Sequence, residues 1–182
     1  MDSRMLVSSH DLFILSGTLK PGGSNWLKYC ESRVICPPQR AVTSSSFALF
    51  DFPSLAFPAM ATVDSNHSSS NEEEEEWSAD RVSGFLLTFA DETWIESFDE
   101  LEEYSPLRDR GENLYQRIEI AVAVEALRKE EEEEEEDDAE EEACIACWTY
   151  VMEAEKVRAM GGVLVPSGDW PHLNHLSPRT DD

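Results

Sequence analysis

The apolar residues of this chain come in short blocks, and their spacing changes from one block to the next. Leu12 to Leu15 form an apolar run the length of a short buried strand, ended by the Gly-, Pro- and Ser-rich loop SGTLKPGGSN at 16–25. Residues 47–60, FALFDFPSLAFPAM, are aromatic and apolar, but Pro53 and Pro58 lack the N–H that a central strand needs. The pattern predicts short edge strands or an extended packed loop. RVSGFLLTF, 81–89, reads as a strand in which Gly84 marks a bend or a close backbone approach. Thr93 and Glu96 have the spacing of a capping box, and Trp94, Ile95, Phe98 and Leu101 follow at helical spacing, predicting a helix over 93–103. In LYQRIEIAVAV, strict alternation puts Ile118, Ile120, Val122 and Val124 on one face of a strand, and ACIACWTYVM supplies another. Several short strands, one helix between strands and no βαβ rhythm give an α+β class around a small antiparallel or mixed sheet.

The length of 182 residues suits a single domain over 1–182. Five Glu at 72–76 and twelve acids within 130–142 hold seventeen of the formal charge of −25, so the acidity is concentrated in two runs. These runs lie in polar, acidic stretches with little that is apolar to bury, about 64–79 and 128–142. Both are expected to be disordered inserts, the second at the tip of a long antiparallel hairpin, and 171–182 reads as a polar C-terminal tail. Few and dispersed Lys and Arg give no basic stripe for nucleic acid. No apolar stretch reaches secretory-signal or membrane-span length, so a soluble, cytoplasmic protein with no membrane partner is expected.

Cys144 and Cys147 have C-x-x-C spacing, but an odd separation within a strand sends the two thiols to opposite faces. Cys30 and Cys36 form no second pair, and His172 and His175 fall on the tail. Buried free thiols are expected, with no metal. The loop at 16–25 lacks both G-x-G-x-x-G and a G-K-[ST] ending, and no G-x-S-x-G elbow occurs, which removes the main support for nucleotide binding and serine hydrolysis. One carboxylate stands out. At about 100° per residue from Trp94, Leu101, Phe98 and Ile95 fall near 340°, 40° and 100°, and Glu102 falls near 80°, inside the apolar arc; Glu96, Glu100 and Glu103 fall outside it. An inward carboxylate must be paired, protonated or facing a pocket; fraying of the helix end or pairing with Arg117 would make it structural.

Three segments in order, SGTLKPGGSN, FDELE at 98–102 and LYQR at 114–117, resemble the γ-glutamylcyclotransferase superfamily, most of all its small γ-glutamylamine cyclotransferase branch. The family motifs are Y-G-[ST]-L-K-x-G-x-x-N, an L-D-x-[LFY]-E helix end with the catalytic Glu, and a Y-x-R strand; SGDW at 167–170 looks like a fourth shared element. The resemblance implies a small, mostly antiparallel or mixed β-barrel with flanking helices. It implies Glu102 as general acid/base, a substrate cradle of Ser16, Gly17, Thr18 and Leu19, and Tyr115 as a further substrate contact. Asn25 and Lys20 would shape the loop.

The reaction so implied is intramolecular. The α-amine of a γ-glutamyl group attacks its own side-chain carbonyl, closing 5-oxoproline and releasing the attached amine, with no cofactor. γ-Glutamylamines, including γ-glutamyl-lysine isopeptides, are the expected substrates. The departure from the family is Ser16, which stands where the motif has Tyr. It keeps open a second reading, a non-catalytic binding module on the same fold. A third reading is an acidic interaction protein whose Glu runs hold basic partners by charge.

Overall fold

The computed structural model describes residues 12–43, 47–63, 81–124 and 144–170; the two acidic inserts and the C-terminal tail lie outside them. Five strands close a barrel: β1 (Leu12–Leu15), β2 (Gln39–Thr43), β5 (Ser83–Thr88), β6 (Gln116–Val124) and β7 (Cys144–Val151), in the order β1-β5-β2-β6-β7. All neighbours are antiparallel except β1 and β7, which meet in parallel at Phe13 and Trp148. Beside the barrel, β3 (Phe47–Phe52) pairs with β4 (Phe57–Thr62) and β8 (Val163–Leu164) in the order β4-β3-β8. Helices α1 (Trp26–Tyr29), α2 (Trp94–Leu101) and α3 (Ala154–Ala159) complete the α+β architecture.

Alternation sorts side chains between two cores. On β1, Phe13 packs edge-on to Trp94 and Phe98 of α2, whereas Ile14 joins Leu86, Val122 and Cys147. On β6, Ile120, Val122 and Val124 share that second core, as their spacing predicts. Strand β3 is buried on both faces: Ala48, Phe50 and Phe52 enter one core and Phe47 and Leu49 the other, which explains why FALF shows no alternation. The prolines keep to permitted places, Pro53 in the β3–β4 turn and Pro58 on β4, an edge strand that pairs only with β3 in its sheet.

Two local expectations fail. Helix α2 ends at Leu101 rather than at 103, and Thr93 makes no capping bond to it. The Thr93 hydroxyl donates instead to Asp91 Oδ1 at 2.5 Å, and Asp91 also accepts the Thr93 N–H, so the capping box with Glu96 does not form. An acceptor two residues upstream outcompetes the helix for the hydroxyl. Among the described residues, no helix is long and apolar enough to cross a membrane.

Candidate active site

A cavity of ≈ 350 Å³ opens between the loop after β1, the turn 53–56 and the C-terminal end of α2. The loop is folded on its own carbonyls: Lys20 N–H donates to Gly17 O at 3.2 Å, Gly23 N–H to Lys20 O at 2.8 Å and Asn25 N–H to Thr18 O at 3.0 Å. The Asn25 side chain adds a bond to Thr18 Oγ1 at 3.0 Å. These contacts use the carbonyls and leave the N–H groups of Gly17, Thr18 and Leu19 without a hydrogen-bond partner among the described residues. A Cβ on Gly23 would lie 2.2 Å from Thr18 O, so only glycine allows this turn. At Gly17 a Cβ would meet Pro58 Cγ at 3.1 Å, so there the crowding comes from β4.

Lys20 secures the loop from behind. Its buried Nζ donates to the Trp170 carbonyl and lies 3.5 Å from Asp169, while Trp170 Nε1 donates to Asp51 Oδ1 at 2.9 Å. The SGDW segment is therefore the anchor of the loop. Burial lowers the Lys20 pKa, the Asp169 carboxylate opposes that shift, and Arg40 adds to it.

Glu102 is placed by the way α2 ends. Tyr104 N–H donates to Asp99 O at 2.8 Å and Glu103 N–H to Glu100 O at 3.3 Å, a Schellman closure with Glu103 in the left-handed region at φ +50°. The turn sets Glu102, the C-cap, on the cavity wall. Its carboxylate has no hydrogen-bond or ionic partner among the described residues, and burial raises its pKa to about 7. Arg117 pairs with Asp99 instead, its Nη1 lying 2.8 Å from both carboxylate oxygens. Burial raises the Asp99 pKa, and the bonds from Tyr150 and Arg117 pull it back.

The residues singled out in the sequence, Ser16, Gly17, Thr18, Leu19, Glu102 and Tyr115, all line this one cavity. Sequence reasoning missed Tyr150 and Thr149 on β7, Pro58 on β4 and Leu55 and Ala56 in the turn. Arg117 faces Tyr150 across the β6–β7 ladder, so knowing the hairpin register would have exposed Tyr150; the acidic insert between the strands hides that register. The cysteine expectation needs correction. Cys30 and Cys147 are buried, with pKa values pushed up to about 12 mainly by burial, but Cys36 and Cys144 are exposed because they fall on outward positions. Among the described residues no group of three His, Cys, Asp or Glu could hold a metal; His172 and His175 lie outside them.

Two of the solved structures that resemble this chain share its fold. The solution structure of A2LD1 superposes with a TM-score of 0.54 at 19% identity, covering 93% of this chain and 97% of that one. A crystal structure of an AIG2-like protein from Mus musculus gives 0.50 at 19% identity, over 78% and 76%. YkqA from Bacillus subtilis gives 0.49 at 18% identity over 88% of this chain, which spans only 39% of YkqA. No curated protein matches the sequence. The family model described as gamma-glutamyl cyclotransferase, AIG2-like, matches residues 14–172, a span that includes the loop, Glu102, Tyr115 and the SGDW anchor, and the chain belongs to that family.

Proposed function

We propose that this protein is a cyclotransferase that releases 5-oxoproline and a free amine from γ-glutamyl compounds, with γ-glutamylamines preferred. The observation that carries the reading is a carboxylate, Glu102, with a pKa raised to about 7 by burial, in the same cavity as the N–H groups of Gly17, Thr18 and Leu19, all of them without a partner among the described residues. An α-amine has a pKa of about 7.7–8 and is mostly protonated at neutral pH, so it needs a base before it can attack. Glu102 takes that proton. The nitrogen then bonds to the side-chain carbonyl carbon, Glu102 returns the first proton to the departing nitrogen as its bond to that carbon breaks, and the ring nitrogen loses its second proton through Glu102 to the freed amine, which leaves as an ammonium. A pKa of about 7 suits both steps, since the group is then neither too weak a base nor too weak an acid. The free N–H groups are donors for the oxygen that becomes negative on attack. Four free cysteines suit a reducing compartment, and we place the protein in the cytoplasm.

The test is a mass-spectrometric screen for 5-oxoproline over a panel of γ-glutamylamines, γ-glutamyl amino acids and glutathione. Release that is fastest from γ-glutamylamines is expected. Binding without release from any member of the panel would leave only the binding-module reading, for which Ser16 is the argument.

A further inference from the structure

The hydroxyl groups around Glu102 have already given away their hydrogens. Tyr115 Oη donates to the Pro58 carbonyl at 3.2 Å and Tyr150 Oη donates to Asp99 Oδ1 at 2.6 Å. Thr149 Oγ1 donates to the Ile14 carbonyl at 3.2 Å. A hydroxyl has one hydrogen and two lone pairs, so each of these oxygens can only accept from a molecule in the cavity. Both phenols are pushed to higher pKa, Tyr115 by burial and the Glu102 charge and Tyr150 by burial and its bond to the Asp99 carboxylate, so they remain protonated and keep these donor roles. The loop side has the opposite character. Thr18 Oγ1 accepts from Asn25 and keeps its hydrogen free, beside the three uncommitted N–H groups. Among the described residues no Lys, Arg or His lines the cavity. One wall therefore accepts and the other donates.

We propose that Glu102, Tyr115 and Tyr150 form a subsite for a primary ammonium group, the α-ammonium of the γ-glutamyl substrate, with one acceptor for each N–H. This assignment rests on the cyclotransferase reading for what the amine does next. Once Glu102 has removed one proton, the two phenol oxygens hold the two remaining N–H bonds, and the freed lone pair is the one that attacks the carbonyl carbon. Asp99 and Arg117 are positioning residues in this scheme. The carboxylate holds the Tyr150 hydrogen out of the cavity, and the Arg117 guanidinium, lying 5.4 Å and 5.5 Å from the ring centres of Tyr104 and Trp148, holds the carboxylate. Without them the phenol could turn its hydrogen toward the substrate and repel the ammonium.

The test compares a γ-glutamylamine with the glutaric acid monoamide of the same amine, which differs only in lacking the α-ammonium. For Tyr150→Phe, and separately Tyr115→Phe, kcat/KM for the γ-glutamylamine is expected to fall about tenfold, the value of one hydrogen bond to a charged group. The competitive inhibition constant of the monoamide should stay within twofold. Equal losses for both compounds, or no loss for either, would overturn the subsite. Calorimetric titration of both compounds into the wild-type protein and the two Phe variants separates this from the enzyme reading. Selective weakening of the ammonium-bearing compound without any 5-oxoproline keeps the subsite and sinks the cyclotransferase. Release of 5-oxoproline without selective weakening does the reverse.

Discussion

Glu102 stabilises the native protein when protonated and serves the proposed chemistry when ionised. Its pKa is raised by burial from an unfolded value near 4.3 to about 7, so its favourable contribution is fully present below about pH 4 and is lost as pH rises through about 7. At pH 8 the ionised carboxylate costs about 1–3 kcal/mol. Glu102→Gln should then abolish turnover while raising stability at pH 8, with the gain vanishing near pH 4. Urea unfolding at both pH values and a kcat measurement check this together. More than about a tenth of wild-type kcat in the variant would end the general-base role. For the wild-type enzyme kcat/KM should rise with pH around a midpoint near 7, not near the ordinary carboxylate value. Ser16 lines the same cavity from the loop side, partly buried where β1 ends. If the space left by the family's Tyr admits bulkier amines, Ser16→Tyr should favour a small γ-glutamylamine over a bulky one by about 1–3 kcal/mol in relative kcat/KM. An unchanged ratio means that the Ser16 side chain does not face the bound substrate. Both residues were legible in the sequence, one through the helical wheel and the other through its place in a motif. Tyr150 was not, because a residue in the middle of a strand acquires its role only from the partner across the ladder.

At the scale of the element, the C-terminal end of α2 shows how a local turn makes a site. The wheel carries Glu102 inward only as far as the helix persists, and the helix stops at Leu101. What keeps Glu102 aimed at the cavity is the Schellman turn, which needs a residue with positive φ at position 103, and this chain supplies Glu where glycine fits best. A non-glycine residue in that conformation costs about 1 kcal/mol. Glu103→Gly should therefore raise stability by about 0.5–1 kcal/mol and leave kcat within a factor of two, because the turn itself is retained. A lower melting temperature in Glu103→Gly would show that the Glu103 side chain contributes contacts that offset its strain. Nothing in the sequence announced this turn, since its usual glycine is absent. The N-terminal end of the same helix misled in the opposite way: Thr93 and Glu96 have capping-box spacing, yet Asp91 takes the hydroxyl.

For the molecule as a whole, strand identities were readable from local periodicity, but barrel closure was not. The parallel meeting of β1 with β7 joins residues more than 130 positions apart and depends on a single register point, Phe13 against Trp148. Only the family resemblance pointed to a barrel. The acidic runs pose the remaining question at this scale. One falls between the end of β4 at Thr62 and the start of β5 at Ser83, the other between β6 and β7, whose ladder runs from Gln116–Val151 to Ala123–Cys144. The strands on either side find their partners among the described residues. Deleting 66–76 together with 130–141 removes sixteen acids and takes the formal charge from −25 to −9. Less self-repulsion should leave the melting temperature unchanged or slightly higher at low salt, and less dependent on salt, with cyclotransferase activity within a small factor. Loss of a cooperative unfolding transition would show that these segments carry core contacts. If the runs hold basic proteins by charge, the full chain should bind a basic protein in 20 mM salt and release it in 300 mM, and the doubly deleted chain should not bind at either. Equal binding by both proteins would remove the acidic runs from any account of partners.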